Sequence, residues 1–94
     1  MQELIKKLEK QYGKPISEFD KVDWNWISIY QKLSEEFIRE YQNKLNWTHI
    51  SYFQILSENF IKEFQHKVDW MCISKCQSLS KDFKQEFQHK IKSK

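Results

Sequence analysis

The sequence predicts an all-α fold, a short array of αα-hairpins or mini-solenoid, and three observations predict it. About three quarters of the 94 residues are one 23-residue unit written three times, over residues 22–44, 45–67 and 68–90. A single Gly and a single Pro leave little turn chemistry for a sheet. Two helix-start signals recur inside every unit. Self-similarity at a short fixed period marks a stacked array, in which each unit buries its apolar face only against its neighbours.

Ten of the 23 columns are identical in all three copies: Trp24/Trp47/Trp70, Ile27/Ile50/Ile73, Ser28/Ser51/Ser74, Gln31/Gln54/Gln77, Leu33/Leu56/Leu79, Ser34/Ser57/Ser80, Phe37/Phe60/Phe83, Glu40/Glu63/Glu86, Gln42/Gln65/Gln88 and Lys44/Lys67/Lys90. At the first start signal, Asp23, Asn46 and Asp69 are placed to cap the free amides of a first turn. Val22, Leu45 and Val68 just before them are spaced to staple onto Ile27, Ile50 and Ile73. At the second, Ser34, Ser57 and Ser80 cap, and Leu33 and Leu56 are spaced to staple onto Ile38 and Ile61. Glu35, Glu36 and Glu58 lie favourably near the helix N-terminus. The spacing therefore predicts helices over 24–32 and 35–44, 47–55 and 58–67, and 70–78 and 81–90. Such short helices are marginal alone, so stability must come from stacking.

A helical wheel puts Trp24, Ile27, Ser28, Tyr30 and Gln31 on one inward arc, with Asn25, Ile29 and Lys32 outside it. Phe37, Ile38 and Tyr41 form the stripe of the second helix. Glu40 with Lys44, Glu63 with Lys67, and Glu86 with Lys90 stand four apart in the order that favours an intrahelical ion pair. The ends read as caps of one domain spanning 1–94. Residues 1–21 carry an amphipathic helix built on Leu4, Ile5, Leu8 and Tyr12 and stopped by Gly13, then a shortened second helix from Pro15 to Lys21. Residues 91–94 are a tail. In the third copy Lys84 replaces Ile38/Ile61 and Lys75 replaces Ile29/Tyr52, which closes off the apolar surface.

Composition bounds the function. Aromatic residues are 16% of the chain, so Trp, Phe and Tyr, which bury about 150–250 Å² each, must build the core. A net charge of +3, with lysines thickest at the ends (Lys6, Lys7, Lys10 and Lys14, then Lys81, Lys84, Lys90, Lys92 and Lys94), is not the concentrated basic footprint of a strong nucleic-acid binder. No apolar run approaches a membrane span or a signal peptide, so a cytoplasmic protein with no membrane partner is the expectation, and Cys72 and Cys76 are expected reduced.

The string Val-Asp-Trp-x-x-Ile-Ser-x-x-Gln-x-Leu-Ser-Glu-x-Phe-Ile-x-Glu-Phe, read across 22–41 and 45–64, resembles a repeat of uncharacterised proteins of bacteriophages and large DNA viruses. The match covers roughly residues 17–90 and is weakest in the third copy, at Cys72, Lys75, Cys76, Ser78 and Lys84. The resemblance implies a viral or mobile-element origin. Small viral proteins of this size often bind and block a host protein, and an inhibitor of a host defence protein fits that pattern.

The invariant glutamines admit two readings, a ladder bonding backbone between units or an amide that reads a nucleic-acid base. Invariance favours the ladder, because a specificity residue should vary from unit to unit. The tryptophans read more simply as core anchors than as base-stacking platforms. Trp26 shares a column with His49 and Cys72, and Cys72 with Cys76 one turn on is compatible with a metal. No fourth ligand is evident, so packing thiols and no cofactor are expected. No nucleophile-base-acid set or Gly-rich phosphate loop is present, so no enzyme is expected. The variable outward columns are more informative. Ile29, Lys32, Thr48, Tyr52, Ile55, Met71 and Lys75 make a candidate partner-binding strip across three units. A protein partner is the leading expectation, and an RNA- or DNA-binding helical repeat is the alternative.

Overall fold

The computed structural model describes residues 1–91, and these form seven α-helices, one turn of 3-10 helix and no strand. The helices are α1 (Gln2–Tyr12), then after the 3-10 turn Ile16–Glu18, α2 (Lys21–Tyr30), α3 (Glu35–Glu40), α4 (Trp47–Phe53), α5 (Glu58–Glu63), α6 (Trp70–Cys76) and α7 (Lys81–Glu86). Lys92 and Lys94, with the rest of the tail beyond Ile91, lie outside the described residues. The radius of gyration is 14.4 Å and the extents are 45 × 22 × 18 Å. A compact chain of this length would have a radius near 12 Å, so the molecule is drawn out along one axis.

Each copy supplies two helices because each has two working caps. The Ser34, Ser57 and Ser80 hydroxyls accept the amides of Phe37, Phe60 and Phe83 at 3.1 Å. Asn46 and Asp69 cap α4 and α6 as their spacing predicts. Copy one departs from the expectation. Its first helix starts earlier, with Asp20 as N-cap and Asp23 inside the first turn: the Asp20 carboxylate accepts the Asp23 amide at 2.9 Å, and Asp23 accepts the Asp20 amide at 3.1 Å. This reciprocal capping box is open to copy one alone. The matching residues of copies two and three are wound onto the end of the preceding helix, as the Leu45 N–H to Tyr41 carbonyl bond shows. Val22 consequently lies inside α2 and 60% exposed, so it staples nothing, whereas Leu45 and Val68 are buried.

The helices also end sooner than the pattern suggests. Gln31, Gln54 and Gln77 leave the helix in extended conformation, and the second helices stop at Glu40, Glu63 and Glu86, followed by turns. With the helix gone, the expected pairs Glu40/Lys44, Glu63/Lys67 and Glu86/Lys90 do not form. Among the described residues the charges pair between copies instead, Arg39 with Glu63 at 2.8 Å and Lys62 with Glu86 at 3.1 Å. At the N-terminus, Gly13 ends α1 with φ +73° and donates to the Glu9 carbonyl, a left-handed cap that any side chain would strain.

The core is an aromatic triad repeated three times. Trp24 lies 6.4 Å from Phe37 and 5.3 Å from Tyr41 between ring centres; Trp47 stands 6.3 and 5.3 Å from Phe60 and Phe64, and Trp70 stands 6.2 and 5.3 Å from Phe83 and Phe87. The tryptophans are thus core anchors between the two helices of each copy. Ile27, Ile50 and Ile73 are fully buried beneath them, and so are Ile38 and Ile61. Along the array α2 packs on α4 and α4 on α6, so the first helices form one continuous row.

Candidate functional site

The glutamine column ties the copies together. Gln54 donates its amide to the Ser28 carbonyl at 3.0 Å and to the Gln31 carbonyl at 2.7 Å, and accepts the Leu33 amide at 3.1 Å. Gln77 repeats all three bonds one unit on, to Ser51, Gln54 and Leu56. These are the groups left open where the first helix ends, so each copy's glutamine closes the helix end of the copy before it. The ladder reading holds, and Gln54 and Gln77 are spent on the backbone. Two more links recur. Ser28 and Ser51 accept the amides of Asn46 and Asp69 at 3.1 and 2.9 Å. The Glu35 carboxylate takes both the amide and the hydroxyl of Ser57, and Glu58 does the same for Ser80.

With the inward columns accounted for, the outward ones form the candidate site. Tyr52, Ile55 and Met71 are 52%, 90% and 68% exposed, and Lys32, Thr48 and Lys75 are exposed as well. Thr48 has a second task, since its hydroxyl reaches the Asp69 carboxylate at 3.4 Å; Asn25 in the same column accepts from Asn46 at 3.1 Å. Ile29 is half-buried, against the expectation of full exposure, because it forms a wall of a groove between the C-terminal ends of α2 and α4. Tyr30 corrects the helical wheel. Expected inward, it is 69% exposed although still helical, because only the Trp24, Ile27 and Ser28 edge is buried against the neighbours.

The same correction adds residues to the site. Trp26 and Phe53 are about half exposed, and Trp26 stacks on Tyr30 with 5.1 Å between ring centres. Phe53 meets Tyr52 edge-on at 4.6 Å. Tyr30, Ile29 and Lys32 from copy one face Phe53 and Ile55 from copy two across a groove of about 300 Å³. A contiguous apolar surface thus runs from Trp26 through Tyr30 to Phe53, Ile55 and Tyr52. The signal for the missed residues was present in the sequence: columns 26/49/72 and 30/53/76 change in every copy, whereas the core columns of Trp24, Ile27, Leu33 and Phe37 do not.

Two ion pairs shift carboxylates within the fold. Lys14 lies 2.7 Å from Asp23 and holds its carboxyl below the ordinary range, and the Arg39 guanidinium does the same for Glu63. Burial raises the Cys72 thiol, which favours its protonated form. His49 lies 6.1 Å from the Phe53 ring, with a buried Nδ1 that has no partner. Among the described residues no three His, Cys, Asp or Glu side chains are placed to hold a metal ion, and no helix is long and apolar enough to cross a membrane. No protein-family model, no curated protein and no solved structure matches this chain.

Proposed function

We propose that this chain is a non-catalytic binding protein that takes a protein partner across the face of its first helices. One observation carries the reading: Trp26, Tyr30, Tyr52, Phe53 and Ile55, 47–90% exposed, are joined in one surface on a chain whose buried positions already supply a complete core. A contiguous exposed apolar patch of this kind usually marks a protein contact. Its composition, with aromatic side chains and one strongly projecting aliphatic, is that of binding hot spots. The resemblance of the repeat to those of bacteriophages and large DNA viruses extends the proposal: the partner is a host protein, such as a defence protein, and the bound chain inhibits it.

Affinity capture from host lysate, with and without nuclease, tests the reading. The retained protein should survive nuclease and be lost with Tyr52→Ala combined with Ile55→Ala, while helicity and melting stay nearly unchanged because both side chains lie outside the core. Tight oligonucleotide binding that falls steeply with salt and survives that double substitution would replace this reading with the nucleic-acid one.

A further inference from the structure

The charges around the apolar surface are as one-sided as the surface is apolar. None of the chain's 13 carboxylates lies in the three stretches 24–33, 47–56 and 70–79, which hold most of the first helices and the extended residues after them; Asp23 in the first turn of α2 and the cap Asp69 stand at the N-terminal ends, away from the groove. The formal charges there are Lys32 and Lys75, both exposed. The second helices are mixed: of their seven carboxylates, Glu35 and Glu58 clamp Ser57 and Ser80, and Glu63 and Glu86 pair with Arg39 and Lys62. The groove repeats this character at close range: Ile29, Tyr30, Phe53 and Ile55 supply apolar walls and Lys32 the single ionic group. The groove lies at helix C-termini, whose partial negative charge opposes an anion. That opposition is reduced, because the Gln54 amide already neutralises the Ser28 and Gln31 carbonyls.

Resting on the protein-binding reading, we propose that this groove seats a bulky apolar side chain of an acidic amphipathic helix belonging to the partner, with the flanking carboxylates of that helix meeting Lys32 and Lys75. The volume of about 300 Å³ is at the lower bound of ligand sites, which suits one or two side chains. A second copy of the chain is the poorer occupant. Two such faces brought together would oppose lysine to lysine, and the carboxylates that border the face, Glu35 and Asp69, are already engaged by Ser57 and Thr48. The apolar wall also thins along the array, since Lys75, Cys76 and Ser78 stand in copy three where copy two has Tyr52, Phe53 and Ile55. The anchor therefore belongs at the α2/α4 junction.

The test uses the full chain and two labelled model helices with Leu at i, i+3, i+4 and i+7, one carrying Glu and the other Lys at the flanking positions. The Glu helix should bind about tenfold more tightly than the Lys helix at low salt, and the gap should narrow at high salt. Ile55→Glu should weaken the Glu helix about tenfold or more with circular dichroism unchanged. Lys32→Glu should shift the preference towards the Lys helix. Equal affinity for the two helices, binding of neither, or indifference to Ile55→Glu overturns the inference. So does a concentration-dependent dimer lost with Ile55→Glu, or an oligonucleotide that displaces the helix. If the Tyr52/Ile55 double change abolishes capture of the lysate partner while the model helices bind equally, the acidic-helix inference fails and the protein-binding reading stands.

Discussion

The junction between copies one and two and the junction between the N-terminal cap and copy one use the same columns to different ends. At the inner junction Gln54 is buried and makes three bonds, Trp47 donates its indole N–H to the Gln42 carbonyl at 2.9 Å, and Asn46 caps α4. At the outer one Gln31 reaches only Gln11, at 3.4 Å. Trp24 is 3% exposed with an indole N–H that has no partner, and Asp23 has moved inside the helix. Identical residues thus take their roles from the unit that precedes them. Copies two and three follow a full hairpin whose final turn presents the Gln42 or Gln65 carbonyl, while copy one follows a 3-10 turn and an Asp20 cap that present none.

Substitutions at matched columns break or sharpen that comparison. The largest effect belongs to the shared core. Trp47→Ala should destabilise by roughly 3–5 kcal/mol as a large-to-small change that also removes a hydrogen bond. Lys67→Ala, on the surface, should cost well under about 1 kcal/mol. Equal melting shifts for these two would refute the assignment of faces.

Next comes the glutamine column. Gln54→Ala leaves two carbonyls and an amide without partners and should cost about 1–3 kcal/mol. Gln31→Ala, which loses one long surface bond, should be near neutral. A chemical denaturation series that found the two equally costly would mean that the clamp contributes nothing.

The indole pair separates the junctions more finely. Trp47→Phe forfeits the bond to Gln42 and should cost about 1 kcal/mol beyond its lost area, whereas Trp24→Phe removes a buried donor that has no acceptor and should cost less. The opposite order in urea midpoints would indicate that Trp24 finds a partner in solution.

The smallest effect is electrostatic and depends on pH. Arg39 holds the Glu63 carboxyl below its ordinary range. The pair's contribution is therefore fully present above the ordinary carboxylate pKa, near 4, and is lost as pH falls through the lower folded value. Wild type and Glu63→Gln should differ slightly at neutral pH and low salt and converge under acid. Melting curves that diverge as pH falls would contradict this sign.

The sequence by itself determined the class and the period. A fixed column of Trp, Ile and Phe with two caps per unit leaves a helical array as the arrangement that buries every apolar column against its neighbours. It also made the glutamine ladder legible, since a residue identical in every unit must do the same thing at every junction that is complete. The tertiary structure decided where each helix stops and which residues lie outside. A helical wheel assumes that the helix continues. Here the neighbour's glutamine takes carbonyls at the end of the helix and the chain leaves it at Gln31 and Gln54, while Tyr30 and Phe53, still helical, lie outside the narrow edge that faces the next unit. The ion pairs likewise run from copy to copy, because the helices end before Lys44 and Lys67, and only the stacked units bring Arg39 to Glu63 and Lys62 to Glu86. Local spacing settles what a residue can cap or pack against within its own turn. Contacts some two dozen residues apart depend on how the units stack, and that distance is absent from the local pattern.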